Sequence, residues 1–77
     1  MSDRSRLVWR CRRGTLELDL LLSRFLEQRY ESLAPDQRQA FERLLDCEDD
    51  QLQDFFFNDR RPTDGALAEL VELIRPR

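Results

Sequence analysis

Histidine and lysine are both missing from this 77-residue chain, and glycine occurs only twice. Without histidine there is no Ser–His or Cys–His nucleophilic pair, no zincin-type site and no imidazole to carry protons. Two glycines cannot build a loop that cradles phosphate. The two cysteines, Cys11 and Cys47, are too few for a zinc site without other ligands. No secretory apolar segment precedes them, so two free thiols in a reducing cytosol are expected. No apolar run approaches the roughly 18 residues that a membrane span requires. Sixteen acidic residues leave a carboxylate pair compositionally open, but most of them fall on expected helix caps and solvated faces. These absences exclude most catalytic chemistry and favour a binding module: no catalytic residue, metal ligand or membrane contact is expected.

Because lysine is absent, all 13 cationic residues are arginines, and the net charge is −3. Charged residues make up 38% of the chain, against about 25% in an average domain. Their distribution is uneven. Residues 1–13 hold Arg4, Arg6, Arg10, Arg12 and Arg13 against Asp3, a balance of +4, and residues 14–77 balance to −7. Arginine presents a planar fork suited to carboxylates and backbone carbonyls, so a basic end made only of arginine fits a protein surface. A compositional bias toward arginine explains the same usage. Nucleic-acid binding would rest on these few arginines, in a chain whose pI is near 4.9, and is not expected.

What is present is helical periodicity. Leu7, Val8 and Cys11 form a short stripe that predicts a first helix ending at Gly14. From Leu16 to Tyr30 the chain is apolar around much of a helix, through Leu18, Leu20, Leu21, Leu22, Phe25 and Leu26, which predicts a central position in a bundle. Pro35 opens a third helix at its first position, with the stripe Ala40, Phe41, Leu44 and Leu45. Glu48, Asp49 and Asp50 supply the cap and first-turn acids of a fourth, which buries Leu52, Phe55 and Phe56 and leaves Phe57 off the stripe. Thr63 or Asp64 caps a fifth, with Leu67, Leu70, Val71 and Ile74 on one face. No segment alternates with the period of a strand. The expectation is an all-α, compact bundle of five short helices forming one domain over residues 1–77.

The segment Trp9 to Asp19 stands apart, because Gly14 is the only glycine in the first 64 residues. Gly14 either ends the first helix in a left-handed conformation or caps the second. In the second case Glu17 occupies the N3 position of a capping box. Trp9 lies off the expected buried stripe, and Arg12 and Arg13 follow three and four residues later, on the same helical face. Exposed tryptophan and arginine are the residue types most enriched among interface hot spots, although a lone tryptophan also folds back over a small core. The acids Asp46, Glu48, Asp49, Asp50, Asp54 and Asp59 are read as helix-start acids.

Arg13-Gly14-Thr15-Leu16-Glu17 reads as an RGxxE motif. With Phe25, the run Phe41-Glu42-Arg43-Leu44-Leu45, the acidic cap and the Arg61-Pro62 loop, the whole chain resembles the SdhE family. That resemblance implies a five-helix fold and an assembly factor that binds the flavoprotein subunit of succinate dehydrogenase, in some bacteria also that of fumarate reductase. It implies that FAD becomes covalently attached to a histidine of the client, with no cofactor held by the chain itself. Arg13, Gly14 and Glu17 would face the client, with Trp9, Arg12 and Asp19 beside them. Mitochondrial relatives carry an import segment. Met1-Ser2-Asp3-Arg4 leads almost directly into the first helix, which points to a bacterial, cytoplasmic member; separately, the free protein is expected to be a monomer. An antitoxin-type protein-binding regulator, or a small nucleic-acid-associated regulator, is the alternative.

Overall fold

The computed structural model describes residues 3–75; Met1, Ser2, Pro76 and Arg77, the ends of the expected domain and start of the expected leaderless N-terminus, lie outside the described residues. Five α-helices follow one another: α1 (Asp3–Arg10), α2 (Leu16–Arg29), α3 (Pro35–Leu45), α4 (Asp49–Phe57) and α5 (Gly65–Ile74). A 3₁₀ turn, Tyr30–Ser32, tightens the end of α2. No strand occurs among the described residues. The radius of gyration is 11.5 Å, which is about the value for a compact chain of this length.

Helix α5 is the hub, packed on α3, α2 and α4, while α1 lies on α2. Its apolar stripe behaves as the period predicts: Leu70, Val71 and Ile74 are buried and Leu67 is partly buried. Asp64 is its cap, and its carboxylate accepts from the Ala66 and Leu67 amides. Helices α3 and α4 likewise bury Ala40, Phe41, Leu44 and Leu45, and Leu52, Phe55 and Phe56. Gln37 and Gln51 accept from the Ala34 and Glu48 amides and hold the two helix starts. Phe41 is fully buried between Phe25 and Tyr30, with ring centroids 5.6 and 5.7 Å away. Truncating such a side chain costs about 3–5 kcal/mol, comparable with the whole stability of a domain this small, roughly 4–11 kcal/mol.

The first two helices depart from the expected pattern. Helix α1 ends at Arg10, four residues before Gly14. The Arg12 amide then closes a tighter bond to the Trp9 carbonyl at 3.1 Å. Leu7 and Cys11 are buried, but Val8 is 43% exposed, because it sits a quarter-turn around the helix from Leu7. Helix α2 is not central either. Leu18, Leu22, Phe25 and Leu26 are buried, whereas Leu16 and Leu20 are 70% and 51% exposed. The short α1 runs back along α2, with Arg4 paired to Glu31 and Val8 opposite Ser23. The part of α2 that carries Leu16 and Leu20 is left uncovered.

Candidate functional site

The Trp9–Asp19 segment spans the last turn of α1, the loop 11–15 and the first turn of α2. Gly14 has φ of +90°, a backbone conformation that side-chain-bearing residues rarely adopt. The space its missing Cβ would occupy is open, with no heavy atom within 4 Å. The glycine is therefore required by the path of the backbone, and its outer side is bare.

Thr15, not Gly14, is the N-cap of α2, with φ −119° and ψ 135°. Glu17 is then the second residue of the helix rather than the third, and the capping box expected for it does not form. Its carboxylate is exposed and has no hydrogen bond or ion pair among the described residues. The Thr15 hydroxyl is buried without a partner and does not cap the helix either.

Trp9 is 63% exposed, which decides against folding back over the core. The Arg12 guanidinium lies over the indole, 5.0 Å from the ring centroid, in a cation–π arrangement that stiffens both side chains. Arg13 does not join that face. Because α1 has already ended, the helical register linking Trp9 to Arg13 is lost, and the Arg13 side chain turns inward, 16% exposed. Its Nε donates to Asp49 Oδ1 at 2.8 Å, Nη1 to the Leu45 and Arg10 carbonyls at 2.8 and 3.3 Å, and Nη2 to the Cys47 carbonyl at 2.5 Å. Asp19 also turns to internal use: its Oδ1 accepts from the Arg13 amide at 2.5 Å.

The basic N-terminal segment, expected as an outward-facing surface, is largely consumed inside the molecule. Arg4 pairs with Glu31, Arg10 with Asp46 and the Glu42 carbonyl, and Arg13 with Asp49. Arg12 is the outward-facing arginine of the loop. The charge asymmetry of the sequence thus clamps a basic α1 onto an acidic α3–α4 region.

Sequence reasoning missed the apolar part of this face. Leu16 and Leu20 stand four residues apart on one row of α2, and Ser23 and Glu27 continue it toward a cleft of about 270 Å³ lined also by Arg4, Val8 and Leu26. The signal was present as a helix apolar on more than one side. Trp9, Arg12, bare Gly14, Leu16, Glu17 and Leu20 are all exposed along residues 9–20, and Arg12 and Glu17 have no ion pair among the described residues. Exposed residues of these types are suited to binding a protein. Burial pushes the Cys11 thiol up to about 11, with Arg13 and Arg10 opposing and Asp19 adding to the rise, so it is protonated and inert. Burial, then Asp46, raises Cys47 too. No metal-binding cluster occurs among the described residues, and none of their helices is long and apolar enough to cross a membrane.

The sequence model of the Sdh5 family, described as flavinator of succinate dehydrogenase, matches residues 5–77. Curated relatives that carry the name FAD assembly factor SdhE are similar to the chain over its length. That of Yersinia pseudotuberculosis serotype I (strain IP32953) is 40% identical over 77 residues, covering all of this chain and 88% of the relative. The Idiomarina loihiensis protein is 39% identical over 77 residues, covering 100% and 86%. The Methylococcus capsulatus (strain Bath) protein is 45% identical over 75 residues, covering 97% and 90%.

Proposed function

The chain belongs to the Sdh5/SdhE family of succinate dehydrogenase flavinators, and from that membership we propose that it is an FAD assembly factor for this enzyme. It binds the flavoprotein subunit and promotes covalent attachment of FAD to a histidine of that subunit. The observation that carries the reading is the family match over nearly the whole chain. The face around Gly14 supports the site: exposed Trp9, Arg12 and Glu17 have apolar neighbours and no internal ionic partner.

The chain acts by binding rather than by catalysis. Flavinylation needs the client histidine aligned with the flavin methyl group and the charge on the reduced flavin stabilised. A partner favours that arrangement only through higher affinity for it than for the open client. Lacking histidine, this chain cannot carry flavin by the linkage that the client uses. Trp9 and the α2 leucines supply buried area, while Arg12 and Glu17 set register through opposite charges on the client.

The test uses purified apo flavoprotein subunit and FAD, with and without the chain, followed by acid precipitation and measurement of protein-bound flavin fluorescence. Faster or more complete covalent labelling supports the reading, and the fumarate reductase subunit serves as a second client. Equal labelling with and without the chain, for both clients, would sink it.

A further inference from the structure

The α3–α4 turn supports the candidate face from behind. The last carbonyls of an α-helix have no partner within the helix and carry its negative dipole end. The carbonyl of Leu45, the last residue of α3, and that of Cys47 in the turn that follows both accept from the Arg13 guanidinium, at 2.8 and 2.5 Å. The same guanidinium pairs at 2.8 Å with Asp49 in the first turn of α4. One side chain from the α1–α2 loop thus joins the end of one helix to the start of the next.

We propose that Arg13 and Asp49 form a positioning pair for partner binding. Arg13 serves the face from its inner side, and Asp49, outside the Trp9–Asp19 segment, belongs to the same functional unit. The proposal rests on the reading that the Gly14–Glu17 face meets the partner.

Three observations carry it. Arg13 directs donors from all three guanidinium nitrogens to four acceptors within the chain. Direct contact with a partner would require breaking charge-assisted bonds that are already made. Second, Arg13 is pinned on its other side by Asp19, which accepts from its amide immediately before the positive-φ glycine. Third, no other side chain ties the loop at that point: only backbone bonds, such as that from the Asp19 amide to the Thr15 carbonyl, join it to the helices, the space outside Gly14 is open, and the Thr15 hydroxyl bonds nothing. The direction in which Gly14, Thr15 and Glu17 are presented is therefore set through Arg13. Lysine, with a single point charge, cannot reproduce a fork that serves a carboxylate and several carbonyls together.

The experiment is a double-mutant cycle with Arg13→Ala, Asp49→Ala and the double variant, titrated against the purified apo flavoprotein subunit of succinate dehydrogenase. Amide hydrogen exchange on the free proteins reports the loop itself. Val71→Ala, buried in α5 away from the loop, controls for lost stability. Each single variant is expected to weaken binding roughly tenfold, and the double variant no more than about twofold further, as for residues acting as one unit. Exchange at residues 14–17 should rise in all three, Asp49→Glu should restore most of the affinity, and Val71→Ala should bind as the wild type does. Wild-type affinity in Asp49→Ala beside a weak Arg13→Ala would mean that Arg13 touches the partner directly, and would overturn the pair. Additive losses, or an equal loss in Val71→Ala, would overturn it as well. Trp9→Ala and Glu17→Ala are titrated in parallel. Losses there with an unaffected Asp49→Ala reject the pair alone, whereas unchanged affinity in both rejects the face, and the pair with it.

Discussion

Two loops of this molecule turn through a residue at positive φ, Gly14 at 90° between α1 and α2 and Asp59 at 59° between α4 and α5. Both are flanked by arginines and acids, yet they use them in opposite ways. Around Asp59 the charges close on each other: Arg75 with Asp59 at 2.7 Å, Arg43 with Asp64 at 2.6 Å, Arg60 with Asp54 at 3.4 Å and Arg61 with Glu72 at 3.5 Å. Around Gly14 the paired arginine is the inward one, while Arg12 and Glu17 remain open beside Trp9, Leu16 and Leu20. A face that neutralises its own charges has little left for a partner. One that ties down its backbone and leaves its exposed groups unspent is organised for binding.

The sharpest way to break this contrast is Gly14→Arg. It places a long cation on the bare side of the loop, and we expect it to abolish support of flavinylation. Covalent flavin on the client subunit, measured in cells lacking the native copy, is the readout, and normal flavinylation from a folded Gly14→Arg protein would locate the interface elsewhere. Gly14→Ala separates backbone from bulk. At φ +90° it should cost about 1–3 kcal/mol of stability while retaining most client affinity at temperatures where it stays folded.

Next in size are Trp9→Ala and Glu17→Ala. Each is expected to weaken client binding by about tenfold or more, a typical loss at an interface hot spot. Neither side chain contributes to the core, so denaturant melts should move by no more than about 0.5 kcal/mol. A Glu17→Ala variant that loses stability but not affinity would return Glu17 to a purely structural role.

The opposite outcome belongs to the other loop. Asp64→Asn should lower stability through α5 and leave client affinity unchanged. The Arg43 hydrogen bond, then the Leu67 amide, holds the Asp64 carboxyl below its ordinary value of 3.8. Its stabilisation is therefore complete above that value and is lost as pH falls through the lower folded value. Acid titrations of stability should be flatter at their lowest end in Asp64→Asn than in the wild type. Smallest of all is Arg61→Ala, whose pair with Glu72 is exposed. It should change neither affinity nor, beyond about 0.5 kcal/mol, stability.

Helices α3, α4 and α5 were legible because their apolar stripes agree with the start signals at their N-termini, first-turn acids in α3 and α4 and the Asp64 cap in α5. Asp64 at one start and Pro35 at another place those helices before any packing is known. Gly14 marked the candidate face for a comparable reason: an isolated glycine in helix-forming surroundings implies a backbone that other residues resist. The direction of Arg13 was not legible. Its role depends on the Leu45 and Cys47 carbonyls and on Asp49, all more than thirty residues away in sequence.

From residue types and spacing alone come the helical class, the five elements, the exclusion of histidine-based chemistry and the segment proposed as the binding face. These follow from local physics, because propensity, capping and period act within a few residues. Tertiary structure decided which apolar rows are covered and which arginines are spent. Periodicity states that Leu16 and Leu20 share a row, but only the way the helices pack leaves that row open to solvent. Likewise, a count of charges cannot say that Arg13 faces inward while Arg12 stacks outward on Trp9. That choice is made by where α1 ends and by which helix ends lie within reach of the loop.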